Sequence, residues 1–178
     1  QTVKIWDANS GEKIVTLEGH SDVVNSVCWS PDGKYLASGS RDNTVGLWNL
    51  YRDEKYSVLD SMPVNIYSRD LSPDGKYFAD GWWDGNIVIK YVDSGNKLKT
   101  FGKHFLSVSC VSWSPNGKYL LSGSGDRIVK IWYAESGICL QTFEGCNFYI
   151  TFVGFTSDGR KIISKDLDGK ILQWDFPP

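Results

Sequence analysis

Apolar residues in this chain come in short bursts, and turn-forming residues separate them. Val24 to Trp29 is rich in β-branched and aromatic side chains and predicts a strand. Ser30-Pro31-Asp32-Gly33 predicts a tight turn, with glycine where the backbone needs positive φ. Tyr35 to Gly39 reads as a second strand, and Arg41-Asp42-Asn43 turns the chain again. Thr44 to Trp48 is a third strand and Tyr56 to Leu59 a fourth. No stretch repeats apolar residues at i, i+3, i+4 and i+7 for the length of a helix, so the pattern predicts an all-β protein.

The same pattern returns at a fixed interval. The pairs Asp32-Gly33, Asp74-Gly75, Asn116-Gly117 and Asp158-Gly159 step by 42 residues. Asp42, Asp84, Asp126 and Asp168 step by the same 42. Trp6, Trp48, Trp132 and Trp174 share that phase, with Lys90 in the remaining slot. Three marker sets with one period and no insertion establish an internal repeat. The units run over about 1–19 (partial), 20–61, 62–103, 104–145 and 146–178. Residues 2–6 and 13–17 read as the third and fourth strands of the first unit, and 149–174 as three strands of the last, giving seventeen strands in all.

Composition narrows the function class. With 41% hydrophobic and 22% charged residues, the 178-residue chain resembles an ordinary globular protein. A formal net charge of -2 provides no basic field for nucleic acid, and none is expected as a partner. No apolar run is long enough to insert in a membrane, and Gln1 to Asp7 lack the features of a signal peptide. Cys28, Cys110, Cys139 and Cys146 form no CxxC pair, which suits free buried thiols in a reducing compartment, cytoplasmic or nuclear. No HExxH, P-loop, Ser-His-Asp or Cys-His arrangement occurs. No cofactor, metal or catalytic residue is therefore expected.

Four strands per ~42 residues is the arithmetic of a propeller blade. Gly19-His20, Ser30-Pro31-Asp32-Gly33, Leu36-Ala37-Ser38-Gly39-Ser40, Asp42 and Leu47-Trp48-Asn49 resemble WD40 repeats. The resemblance covers essentially the whole chain. It implies about four blades of a seven- or eight-bladed β-propeller, with some eleven strands of a seven-bladed parent lying upstream. It also implies a buried hydrogen-bonded tetrad in each blade. One set is His20, Ser38, Asp42 and Trp48; a second is His104, Ser122, Asp126 and Trp132. The last blade has Cys146 with Ser164, Asp168 and Trp174. The second blade has Met62, Asp80, Asp84 and Lys90, so an Asp80–Lys90 ion pair is expected where other blades hold Ser and Trp.

The resemblance further implies that partners are proteins or peptides, met on the face that carries the tetrad turns. Residues expected on that face are Arg41, Trp82, Trp83, Phe105, Arg127 and Tyr149. Trp82-Trp83 at a hairpin tip fits an interface anchor, and Arg41 with Arg127 fits an acidic or phosphorylated peptide. The leading expectation is a non-catalytic interaction scaffold. The alternative is a regulatory or targeting domain of a larger protein with an enzymatic or signalling module upstream. A third, an enzyme using the central channel, would draw on the slot held by Asn25, Tyr67, Ser109 and Thr151, which offers no nucleophile–base pair. An open arc of blades also leaves strand edges free, so the isolated chain is expected to self-associate.

Overall fold

The computed structural model describes residues 1–30, 33–42, 44–50 and 66–176, and the backbone of 57–61. Pro31, Asp32, Asn43, Tyr56, Met62, Pro63 and Asn65, which figure in the sequence pattern, lie outside the described residues. Strands β1 (Thr2–Trp6) and β2 (Lys13–Glu18) form an antiparallel hairpin. Three four-stranded sheets follow, each a simple antiparallel meander. The first holds β3 (Val24–Trp29), β4 (Tyr35–Ser40), β5 (Thr44–Asn49) and β6 (Ser57–Ser61). The second holds β7 (Ile66–Leu71), β8 (Tyr77–Trp82), β9 (Ile87–Tyr91) and β10 (Lys97–Thr100). The third holds β11 (Val108–Trp113), β12 (Tyr119–Ser124), β13 (Val129–Tyr133) and β14 (Cys139–Phe143). The chain closes on a three-stranded sheet of β15 (Ile150–Phe155), β16 (Lys161–Asp166) and β17 (Ile171–Asp175). No helix occurs among the described residues.

The repeat seen in the sequence is a repeat of backbone geometry. Gly33, Gly75, Gly117 and Gly159 have φ of 70°, 72°, 69° and 69°, a conformation that costs glycine little. Leu36 faces Trp48 across β4–β5 as Leu120 faces Trp132 and Ile162 faces Trp174. Phe78 faces Lys90 in the same place. Each first hairpin carries a register shift at the same slot, after Val24, Ile66, Val108 and Ile150. A β-bulge there re-aims one side chain per blade.

Those re-aimed residues are Asn25, Tyr67, Ser109 and Thr151. Asn25 donates from its amide to Ile66 O at 3.1 Å, and Ser109 donates to Ile150 O at 2.5 Å. Both bonds run from one blade to the first strand of the next. Ser68 Oγ and an Asp70 carboxylate oxygen accept the Val111 and Trp113 N–H groups at 2.9 and 2.7 Å. The inner strands are edges, and side chains satisfy the backbone groups that no ladder reaches. Two members of this slot, Asn25 and Ser109, thus stitch a blade to the next, while Thr151 Oγ1 donates to Lys165 O within its own blade. Apolar clusters fill the space further out: Ile89, Trp113, Leu120 and Trp132 between the second and third full blades' residues, and Leu121, Ile131, Ile150 and Ile162 between the next pair. Among the free cysteines Cys110 is buried, Cys28 and Cys146 are half-buried and Cys139 is exposed, so the expectation of buried thiols fails outright for Cys139 and holds in full only for Cys110.

Candidate functional site

The β4–β5, β8–β9, β12–β13 and β16–β17 turns lie at one end of the blades, and each is anchored from beneath. In the blade of residues 104–145, Trp132 Nε1 donates to Ser122 Oγ at 2.8 Å. Ser122 Oγ lies 2.7 Å from His104 Nε2, and His104 Nδ1 lies 3.0 Å from an Asp126 oxygen. In the neutral imidazole the Asp126 carboxylate, which only accepts, places the hydrogen on Nδ1, and Nε2 then accepts the Ser122 hydroxyl proton. Asp126 also accepts the Phe105 and Ile128 N–H groups. Burial pushes the Asp126 carboxyl up, but the bond from His104 and those from the Phe105 and Ile128 amides more than offset this and hold it at about 2. The blade of residues 20–61 repeats the chain: Trp48 Nε1 to Ser38 Oγ at 2.9 Å, Ser38 to His20 Nε2 at 2.7 Å, His20 Nδ1 to Asp42 at 3.0 Å. These polar groups are spent on one another, which suits architecture rather than catalysis.

The last blade departs from expectation. Cys146 Sγ reaches Ser164 Oγ at 3.5 Å, but Asp168 is exposed. Asp166, two residues earlier and 1% exposed, takes its place and accepts the Asn147 and Lys170 N–H groups. Both carboxylates were within reach in the sequence; in the other blades the 166 slot holds Ser40, Trp82 and Ser124, and only that comparison marks it.

The blade of residues 62–103 replaces the network with buried charge. Lys90 Nζ lies 3.7 Å from Asp80 Oδ2, within ion-pair range. Asp80's nearer partner is Arg69, whose Nε and Nη2 meet its two carboxylate oxygens at 2.5 and 2.6 Å. This bidentate fork was missed, although Arg69 stands in the slot held by Val27, Val111 and Val153. The Arg69 guanidinium also covers the Phe78 ring, 4.3 Å from its centroid. Trp82 lies half-buried with its ring 5.8 Å from Lys90 Nζ, so it belongs largely to this cluster rather than to the outer face.

The outer face itself is apolar. Phe105 is 89% exposed, Leu167 69% and Trp83 54%. Leu106 and Phe148, which sequence reasoning did not single out, are exposed beside them. Backbone bonds make them neighbours. His104 N donates to Gly85 O, Phe105 N to Asp126, Gly125 N to Ser107 O, and Leu167 N to Tyr149 O. The loop bearing Phe105 and Leu106 is thus held between the Trp83 tip and the Arg127 tip. Tyr149 is half-buried against Gly125, where an added Cβ would meet its ring at 2.9 Å. Arg41 and Arg127 are both exposed but stand on tips two blades apart, with the Trp83 tip between them, and do not form one site. Among the described residues no group of three or more His, Cys, Asp or Glu could hold a metal ion. No helix is long and apolar enough to cross a membrane.

Comparison with known proteins gives the sheets their family. Residues 11–49, 95–133 and 137–175 each match the model described as WD domain, G-beta repeat. The chain belongs to the WD40 family. The matches pass over the segment that carries Arg69, Asp80 and Lys90. Among relatives, coronin-7 of Rattus norvegicus is 46% identical over 44 residues, 25% of this chain and 5% of its own length. Ribosome assembly protein 4 of Chaetomium thermophilum is 57% identical over 35 residues, 20% of this chain and 7% of its own. Protein transport protein sec13 of Aspergillus oryzae is 52% identical over 50 residues, 24% of this chain and 17% of its own. Each alignment is about one blade long and spans a small part of the relative. WD40 repeats are generally non-catalytic and mediate protein–protein contacts.

Proposed function

We propose that this chain is a non-catalytic interaction platform of an intracellular assembly, cytoplasmic or nuclear, that binds another protein or a peptide across the tetrad face. The observation that carries this reading is the run of Trp83, Phe105, Leu106, Phe148 and Leu167. These large apolar side chains stand exposed on hairpin tips and connecting loops whose polar groups are fixed from beneath. Exposed apolar residues on a rigid base are the anatomy of an interface centre, since little ordering cost remains on binding. The end of the blades that carries the Gly75 turn offers a hollow lined by Tyr35, Leu71, Tyr77 and Tyr91, where Lys76 is paired with Asp74 at 3.6 Å. Quantitative affinity capture with the wild type and a Trp83→Ala/Phe105→Ala variant tests the reading. The double variant should lose its specific partners while its thermal midpoint stays put; an unchanged partner set with both rings removed refutes the tetrad face as the interface.

A second reading, a targeting or regulatory domain within a longer multi-domain protein, is supported by how little of each relative the alignments span. Both readings use the same face.

A further inference from the structure

We propose that the hollow beside Leu71, between the blades of residues 20–61 and 62–103, is a second binding site. Its occupant is a tryptophan side chain of another protein, with a lysine or arginine next to it in that protein's sequence. The site lies at the end of the blades that carries the Gly75 turn, apart from the tetrad face.

The hollow has a cause in the repeat. The first strand of each blade ends on Trp29, Leu71, Trp113 or Phe155, so leucine stands once where the other blades carry an aromatic ring. At the next blade boundary Trp113 fills this place. It is 8% exposed and packs in one cluster with Ala79 and Ile89, with Tyr77 against it. One repeat earlier the same walls stand without the ring: Tyr35, Ala37 and Leu47 line the hollow beside Leu71. Leu47 stays half-buried, whereas Ile89 in its slot is 2% exposed. The free space is about 830 Å³ here and about 530 Å³ at the boundary that holds Trp113. That size suits a ligand site, and the neighbouring boundary shows which side chain such walls accept.

The rim supplies the charge. Its charged members among the described residues are Asp74, Lys76 and Asp93. Lys76 is already paired with Asp74 at 3.6 Å. Asp93 is exposed and forms no ion pair among the described residues. Tyr91 lines the hollow two residues away, its ring 5.6 Å from that of Tyr77. A carboxylate next to an exposed aromatic face attracts a cation, by charge and by the ring's quadrupole. At the next boundary the Asp93 slot is Glu135, and the chain brings its own cation there: Lys99 Nζ donates to the Glu135 carbonyl oxygen. The sequence places Ser57 in the Lys99 slot of the earlier repeat. An indole and an ammonium that the chain supplies to one hollow are thus both missing from the other, and a partner that carries them side by side complements it.

Fluorine NMR of a synthetic tetrapeptide, acetyl-Gly-Lys-Trp-Gly-amide with fluorinated tryptophan, tests this. The chain should broaden the fluorine signal and bind this peptide roughly two- to fivefold more tightly than one with alanine in place of lysine. Asp93→Asn should bring the two peptides level. Leu71→Trp, which supplies the ring from within, should weaken both at least about tenfold by filling the hollow. Trp83→Ala/Phe105→Ala should bind them as the wild type does, which separates this site from the tetrad face. No binding of the lysine peptide, equal affinity of the wild type for both peptides, or undiminished binding by a folded Leu71→Trp chain would each overturn the assignment. If Leu71→Trp does not fold, Tyr35→Ser takes its place, since Tyr35 is a wall residue already 38% exposed. It should weaken both peptides, and undiminished binding there overturns the assignment equally. Binding lost in Trp83→Ala/Phe105→Ala but kept in Leu71→Trp moves the peptide to the tetrad face and overturns this site while leaving the platform reading.

Discussion

Asp70 sits where the first strand of one blade faces the first strand of the next, accepting N–H bonds from Trp113 and Leu71. Burial outweighs both bonds and pushes its carboxyl up to about 6. Between the unfolded and folded pKa values the folded chain then holds the extra proton. The stability Asp70 contributes is full below about pH 4 and is lost as pH rises through 6, roughly 2–3 kcal/mol for a shift of that size. Asp42 and Asp126 act with the opposite sign. Burial pushes Asp42 up, but bonds from Thr44, Ser21 and His20 more than offset it and hold it at about 2. The stability from these two is full above about pH 4 and is lost as pH falls through 2. In urea unfolding between pH 4 and 7, the wild type should lose stability as pH rises while Asp70→Asn stays nearly level. Parallel slopes in the two proteins would remove Asp70 as the titrating group.

At the scale of one blade, the contrast between neighbouring blades becomes an experiment. Ser122 and Trp132 in one blade correspond to Asp80 and Lys90 in the blade before it, and Val111 corresponds to Arg69. The charged set is buried, with Asp80 at 0% and Lys90 at 1% exposure. Desolvating such a set costs about as much as its internal attraction returns, while removing one partner leaves unpaired charge. Asp80→Ala should therefore lower stability by about 3–5 kcal/mol. Replacing all three residues with those of the sister blade (Arg69→Val, Asp80→Ser, Lys90→Trp) should be neutral or stabilising. Chemical denaturation of both variants decides the matter. A triple variant as unstable as Asp80→Ala would mean that the ionic set packs better than the tetrad it replaces.

For the whole molecule, strand order and blade period were legible because turn chemistry is local: a left-handed glycine follows Asp or Asn at the first hairpin of every blade, at Gly33, Gly75, Gly117 and Gly159. The tetrads of His20 and His104 were legible for a related reason, since each member holds a fixed slot. What the sequence hid depends on contact across strands. Arg69 and Asp80 are eleven residues apart and meet only through the β7–β8 register. Trp82 and Trp83 are adjacent, and only the fold decides that one lies over Lys90 and the other faces out. The two ends of the blade series carry the same lesson. Val111 and Trp113 are 7% and 8% exposed because a neighbouring blade covers them, whereas Val27 and Trp29, in the equivalent slots, are 52% and 48% exposed behind a two-stranded hairpin. At the other end Phe152 and Ile171 are 51% and 64% exposed. Two apolar faces built for blade stacking thus stand open on the 178-residue chain, and burying them against a second copy removes that surface from water. Sedimentation velocity should show a weight-average coefficient that climbs with concentration across the micromolar range. Trp29→Lys combined with Phe152→Lys should suppress the climb without lowering the thermal midpoint, since both side chains are already half in solvent. A wild-type chain that sediments as a single monomeric species up to about 100 μM, an affinity threshold of roughly 5–6 kcal/mol, would mean that stacking faces alone do not drive association.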